Sequence, residues 1–411
     1  MKYKVATLNN NIKTVIVPTD NKQVVSISYK IKCGFYNEFK GINNYTHLLE
    51  HLIATFFNNE QCSMDSIQKH IGTKVLKTNA YTAENEVCFW IECYYKDIEF
   101  FINLLSRSLF YLCITPKNLD MSKKNVIKEL QQSEDQYFVN DINTFLFKRK
   151  KVSFKYGIED VNKATCESIE TFYKSIFTKD IIIGITCDKS YVKTIDKLLK
   201  QYFDITILKQ EIDLLPINFI SQYPKTTKIY KHYKPIKSVD INIVIPIEIS
   251  KRSIEYYSLM IGLNYLFSFD QGEMYKILRH EQKLIYGINY SFEIDNIDNK
   301  KSFIHINSTC QKSDLKLVLK LFYNIFDKFT ISKEMFKMTK DKLYFSTLYN
   351  FMQGYDDFQN YYVDCIFYKL PIVNIPNRIK NIKYKDTCNM IIKLKKLKHL
   401  VFLYNEKYKK V

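Results

Sequence analysis

Glycine and proline are scarce in this chain, at nine and eight among 411 residues, which excludes a linker-rich, low-complexity or disordered protein. No apolar run approaches the roughly 18 residues that a bilayer-spanning helix needs, so a helical membrane protein is excluded as a reading. Cysteine is present ten times (33, 62, 88, 93, 113, 166, 187, 310, 365, 388), yet never as C-x-x-C, and zinc-finger and dithiol redox motifs are therefore missing. The scattered thiols, with no secretory leader ahead of them, suit a reducing, intracellular and cytoplasmic setting. The opening stretch "MKYKVATLNNNIKTVIVPTDN" alternates apolar and polar residues, unlike the apolar core of a signal peptide or the Arg/Ser-rich character of a transit peptide. Histidine is also rare, with seven in all, so two of them close together ask for a reason.

Apolar residues make up 46% of the chain and aromatics 15%, ample material for packed cores. A chain of 411 residues fits two domains of about 200 residues better than one. The formal charge of +18 invites a polyanionic partner, but the lysines are scattered. Their densest cluster, "KLKKLKH" at 393–399, reads as the solvated face of a final helix. No aromatic-basic signature accompanies it, so nucleic acid is not the expected partner. Abundant Lys, Ile, Asn and Tyr all have AT-rich codons, which gives part of the charge a genomic origin.

Strand-like segments open the first half at "TVIVP" and "VVSISYKIKCG" and return at "EVCFWIECYY". A helical stretch follows over 98–113, and Thr115 and Pro116 form an N-cap and N1 pair for a second helix through "NLDMSKKNVIKELQQSEDQYF". Val126, Ile127 and Leu130 mark its buried side. "DIIIGITCD" at 180–188 is a short apolar strand before another helical stretch near 190–203. Segment 206–226, with Pro216 and Pro224, reads as a linker between a domain over 1–205 and a second over 227–411. The order then repeats: strand at "VDINIVIPIEI", helices at 251–268 and 272–282, strand at "YGINYSFEI". The expected fold class is α+β, two diverged copies of one unit, each with helices packed on one face of a mainly antiparallel sheet.

Residues 46–57, "THLLEHLIATFF", carry the chemistry. On a helix His47 and His51 are four apart and share one face, with Glu50 beside them. The other positions (Leu48, Leu49, Leu52, Ile53, Phe56, Phe57) are apolar, so three polar groups are embedded in a core, where they need partners. A metal ion is one way to satisfy all three. Hydrogen bonds to neighbouring groups are the other, and a third protein ligand decides between them, because catalytic zinc usually has three. Glu129 lies in the second helical pattern, 78 positions beyond His51.

This arrangement resembles the pitrilysin-type (inverzincin) zinc metallopeptidases, in which H-x-x-E-H is followed roughly 75 to 80 residues later by a ligand glutamate. The stretch "ELQQSED" resembles that second motif at Glu129, Leu130 and Asp135, and "CGFYNEFKGINNYTHLLEH" resembles the lead-in at Gly34, Glu38 and Gly41. "NAYTAENEVCFW" is similar to the family's edge strand, which holds a peptide by β-augmentation. "DQGEMYKILRHEQKLIYGINYS" is similar to its Arg/Tyr element. One departure is Ser122, where many active members carry a further glutamate.

The resemblance implies one Zn²⁺ per chain on His47, His51 and Glu129, with Glu50 as the base that takes a proton from the attacking water. It implies Asn79, Ala80 and Tyr81 as substrate-binding positions, and Arg279 and Tyr286 as groups that hold substrate and stabilise the oxyanion. In length the chain is similar to the mitochondrial processing peptidase β subunit and to bacterial processing proteases. Long members enclose peptide or protein-precursor substrates in a chamber of four such domains, so a two-domain chain is expected to pair as a homodimer or with an inactive homologue. The rival from another class is an inactive structural or partner subunit of such an assembly. His70, His232, His280, His305 and His399 have no partners recognisable in sequence and are expected to be structural or exposed.

Overall fold

The computed structural model describes residues 3–38, 41–55, 72, 74–83, 85–112, 114–132, 138, 141–142, 145–146, 154–206, 223–268, 272–294, 301–353 and 355–408. Elements in the first half run β1 Lys4–Thr7, β2 Lys13–Thr19, β3 Val24–Ile31, α1 Tyr45–Thr55, β4 Val75–Thr82, β5 Val87–Tyr94, α2 Ile98–Phe110, α3 Pro116–Gln132, α4 Phe154–Lys163, α5 Cys166–Ile176, β6 Ile181–Asp188 and α6 Val192–Phe203. After them come β7 Lys228–Tyr233, β8 Val239–Glu248, α7 Ile254–Phe267, α8 Glu273–Tyr275 continuing into a π turn at Lys276–Glu281, β9 Ile285–Ile294 and β10 Lys301–Cys310. The chain ends through α9 Leu315–Lys328, α10 Lys333–Gln353, α11 Tyr355–Phe367, α12 Ile375–Lys380, α13 Tyr384–Lys396 and β11 Leu400–Asn405.

The fold is α+β with two mixed sheets. The first has order β1-β2-β6-β3-β5-β4 and the second β7-β11-β8-β10-β9. In each, one pair is parallel (β2 with β6, β7 with β11) and the other pairings are antiparallel. Strand for strand, β2, β6, β3, β5 and β4 correspond to β7, β11, β8, β10 and β9, so the helix after β3 corresponds to the helix after β8. The repeated element order in the sequence is thus matched by a repeated topology.

Continuous apolar strands have both faces buried. On β6, Ile181, Ile183, Ile185 and Cys187 enter the main core beneath α1, α2, α5 and α6, while Ile182 turns the other way with Val15 and Val17 of β2. That second face is covered by Val363 and Phe367 of α11. The second sheet repeats the pattern: Ile241, Ile243, Ile245, Val401 and Leu403 enter the main core, and Val244, Leu400, Phe402 and Tyr404 meet Ile142 and Leu146 on the opposite face. Helices on one face therefore account for the main cores, and a further segment lies on the other face of each sheet.

The chain divides into two compact units, Met1–Glu134 with Val152–Asn218 and Phe351–Lys369, and Asp135–Lys151 with Phe219–Asn350 and Leu370–Val411. Two segments, 135–151 and 351–369, thus cross a division into 1–205 and 227–411. Most of the expected linker lies outside the described residues. The cluster "KLKKLKH" meets its expectation in part: Lys393, Lys395 and Lys396 form the last turn of α13, the last described helix, with Lys393 and Lys396 exposed, whereas Leu397, Lys398 and His399 lead into β11 and His399 is buried. No described helix is long and apolar enough to cross a membrane.

Candidate functional site

Local sequence prepares α1 before its side chains meet anything. Gly41 takes a left-handed φ of 104°, which favours glycine, as the loop turns toward the helix. The helix start leaves backbone N–H groups unpaired, and two buried carboxylates supply acceptors. Glu38 accepts Thr46 N–H through Oε1 and Asn44 N–H through Oε2, each at 2.7 Å. Asp160 of α4 accepts Gly41 N–H at 2.8 Å and Asn43 N–H at 3.1 Å. Burial pushes Glu38 up to about 7 despite these donors. Leu48, Leu49, Leu52 and Ile53 fill the core, which leaves His47, Glu50 and His51 on the remaining stripe.

On α3, Pro116 opens the helix and Thr115 Oγ1 accepts Asn118 N–H at 3.2 Å, the cap read from sequence. Val126 is buried, Ile127 and Leu130 pack partly against the core, and Glu129 points outward with its side chain 52% exposed. Ser122, two turns earlier, is buried.

His47 Nε2 and His51 Nε2 lie 3.2 Å apart, and Glu129 Oε2 is 3.2 Å from the first and 3.4 Å from the second. A tetrahedral ion with arms of about 2.0–2.1 Å has donor-to-donor edges of about 3.3–3.4 Å, so this triangle fits one face of a zinc tetrahedron. The donor chemistry agrees. Burial, and then the neighbouring His51, depresses His47 to about 4, so its imidazole is neutral at pH 7 and offers a lone pair. Its Nδ1 is buried without a hydrogen-bond partner among the described residues, although ligating histidines usually have one there.

Glu50 stands outside the triangle, its Oε2 3.9 Å from His47 Nε2. Burial raises its pKa, opposed by His51 and by the Thr82 hydroxyl, which donates to Oε2 at 3.3 Å. A buried carboxylate with raised proton affinity, beside rather than within the triangle of His47, His51 and Glu129, has the properties expected of a proton acceptor at a candidate metal site. Thr82, the fourth residue of "NAYTAENEVCFW", carries no role that its sequence context alone signals.

Asn79, Ala80 and Tyr81 lie on β4, which pairs only with β5 among the described residues and forms the edge of its sheet. Asn79 Oδ1 accepts Ala80 N–H at 2.9 Å. Arg279 and Tyr286 belong to the second unit. There Arg279 Nη1 donates to Ile285 O at 3.0 Å, its guanidinium lies 5.5 Å from the Tyr286 ring centre, and Tyr286 is 70% exposed. Asp135 and the Asp270–Gln271 start of the Arg/Tyr element lie outside the described residues, as does His70. Of the other histidines, His232 pairs with Asp141 at 2.6 Å and His305 with Asn242 at 2.8 Å, partners that sequence separation hid. His280 is exposed, and His399 is buried with both ring nitrogens unpartnered among the described residues.

Residues 13–156, which include His47, Glu50, His51 and Glu129, match the family model "Insulinase (Peptidase family M16)". Among curated proteins, the mitochondrial ubiquinol-cytochrome-c reductase complex core protein I of Euglena gracilis is 22% identical over 154 residues, 36% of this chain and 31% of that one. The match thus spans less than a third of that relative. Among solved structures, a protease from Helicobacter pylori has a TM-score of 0.79 at 15% identity, covering 98% of this chain and 99% of its own. A peptidase M16 inactive domain from Pseudomonas fluorescens has a TM-score of 0.77 at 11% identity over 100% of both chains. The fold is that of M16 peptidase domains, and over residues 13–156 the sequence matches the model of that family.

Proposed function

We propose that this protein is a zinc-dependent endopeptidase or oligopeptidase acting on peptides or protein precursors. The observation that carries the reading is the triangle of His47 Nε2, His51 Nε2 and Glu129 Oε2 with Glu50 beside it. His47, His51 and Glu129 would hold the ion, one per chain. When bound, zinc supplies Lewis acidity that polarises a carbonyl and acidifies water near neutral pH. Glu50 accepts the proton of the attacking water and delivers it to the leaving amine. The open edge of β4, at Asn79, Ala80 and Tyr81, receives the peptide backbone as an added strand. Arg279 and Tyr286 hold the substrate and stabilise charge on the scissile carbonyl oxygen. A second copy of this chain, or an inactive homologue, brings that second-unit pair to the zinc-bearing unit.

A non-catalytic partner subunit is the second reading, favoured by the inactive-domain and complex-subunit relatives and by Ser122 in place of a glutamate. The two readings part on metal and turnover. Protein purified without chelator is expected to hold about one zinc per chain and to cut members of a diverse peptide library in a chelator-sensitive way. Metal-free protein that cleaves nothing after zinc addition overturns the enzyme reading in favour of the partner subunit.

A further inference from the structure

Behind the edge strand lies a second cluster of ionised side chains that the peptidase reading leaves without a task. Lys30 of β3 is 3% exposed, and its Nζ lies 3.2 Å from Glu86 Oε1 and 2.8 Å from Asp364 Oδ1. Glu86 also accepts the Tyr81 hydroxyl at 2.7 Å and, through Oε2, the hydroxyl of Tyr368. Burial pulls the Lys30 ammonium down, yet Asp364 and Glu86 outweigh it and hold it well above its usual pKa. Burial drives both tyrosine hydroxyls far up, so each keeps its proton and donates. Glu86 is thus a carboxylate hub with three donors. Such a buried ionic cluster stabilises less than apolar packing would, while its directional bonds specify geometry.

The hub joins β3, β4, the entry to β5 and α11 with the residue just after it. It sits at the turn between β4 and β5, where Ala83 N–H donates to Glu86 O at 2.8 Å and Phe35 N–H to Ala83 O at 3.2 Å. Between Tyr81 and Ala83 stands Thr82, whose hydroxyl holds Glu50. β4 pairs in regular register with β5 from Lys77 to Thr82, and the pairing shifts only at its far end, between Val75 and Lys77. A peptide adding to the open edge therefore loads a strand whose hub end is also the support of Glu50.

We propose that the Glu86-centred network is a brace that sets the edge strand against Glu50, which makes Lys30, Tyr368 and Thr82 positioning residues for peptide hydrolysis. The inference rests on the peptidase reading. Tyr368 is distant in sequence, and its hydroxyl donates to Glu86 and lies near Asn85 rather than at His47, Glu50, His51 or Glu129, so its removal separates bracing from chemistry.

The test uses the full chain loaded with zinc and compares wild type with Tyr368→Phe, Thr82→Val and Thr82→Ser. It measures kcat, KM, zinc per chain, and hydrogen exchange of amides in 77–87 against those of α1. Tyr368→Phe is expected to keep its zinc, raise KM about fivefold, and speed exchange in 77–87 about tenfold while α1 is unchanged, because one donor of a buried carboxylate is lost. Thr82→Val is expected to lower kcat about tenfold at unchanged KM and zinc content, with Thr82→Ser restoring most of it, because the base loses its orientation. Unchanged exchange and KM in Tyr368→Phe overturn the brace. Wild-type kcat in Thr82→Val, or a fall in kcat accompanied by lost zinc, overturns the link to Glu50. If zinc-loaded wild type cleaves no peptide, the peptidase reading fails on its own, and the exchange comparison still decides whether the network holds β4.

Discussion

The helices α1 and α7 follow corresponding strands of the two sheets, yet they differ in chemistry. In α7, Tyr257, Leu259, Ile261, Leu263, Leu266 and Phe267 are buried, and Ser253 caps the N-terminus from within the chain's own turn, accepting Tyr256 N–H at 3.0 Å. In α1, two histidines and a glutamate interrupt the apolar surface, and the N-terminus is held by Glu38, a buried carboxylate outside the helix. The difference teaches that topology supplies a place for a site without supplying the site. What turns a core helix into a candidate ligand helix is a set of polar supports arriving from a loop, a strand and two neighbouring helices: Glu38, Thr82, Asp160 and Glu129.

The strongest way to break this contrast is to remove the polar groups of α1 and α3 one at a time. On the peptidase reading Glu50 takes up the proton, so Glu50→Gln should lower peptide cleavage at least about a thousandfold with zinc still bound. Glu129→Gln should instead lose zinc during dialysis. Metal analysis beside an activity assay checks both, and loss of zinc from Glu50→Gln would reverse the role assignment.

A second experiment asks whether the second unit contributes chemistry through Tyr286. Glu50→Gln and Tyr286→Phe, each inactive alone, are mixed under conditions that permit subunit exchange. If sites are composite between two copies, activity should return to about a quarter of wild type, because half the dimers are mixed and each regains one intact site. A mixture that stays inactive after demonstrated exchange refutes the composite homodimer.

Opposite pH responses should distinguish the two units next. Glu38 has its folded pKa raised to about 7 by burial, so the folded state prefers the protonated acid; that contribution to stability is lost as pH rises from the unfolded carboxylate range through about 7. His399 has its folded pKa lowered to about 4, chiefly by burial, so its contribution is lost as pH falls from about 6.5 to about 4. Each shift amounts to roughly 3 kcal/mol at full extent. Denaturant midpoints across pH 4–8 for Glu38→Gln and for His399→Phe should each flatten one limb only. Parallel pH curves for the two variants would contradict the assignment.

The smallest effect tests the local cap. Ser253→Ala should cost about 1 kcal/mol, measured by denaturant unfolding, because it removes one side-chain acceptor at the start of α7. A loss several times larger would mean that Ser253 does more than cap.

Much of this was legible in the sequence wherever the signal was local. Period-two and continuous apolar runs gave β2, β3, β5, β6 and β8, Thr115 and Pro116 marked the start of α3, and the i, i+3, i+4 spacing placed His47, Glu50 and His51 on one face. Pairings across long sequence separations were hidden. The ties from Lys30 to Asp364 and from His232 to Asp141 join residues that no short window contains. "KLKKLKH" was legible as far as Lys396, the end of α13, and the strand entry beyond it was hidden because a helix terminus and a strand entry share one lysine-rich composition. The second faces of the sheets escaped notice for a related reason: a buried strand is apolar on both sides whatever covers it.

The two crossing segments bear on how this protein is made. Residues 351–369 complete the unit that begins at the N-terminus, and residues 135–151 complete the one that ends at the C-terminus. A ribosome that has delivered the whole first half has therefore not yet delivered the helix carrying Val363 and Phe367, and Val15, Val17 and Ile182 wait uncovered until it emerges. Cutting the gene between the halves would leave each product with an exposed sheet face and a stray segment, so the two units are separable as shapes but not as polypeptides.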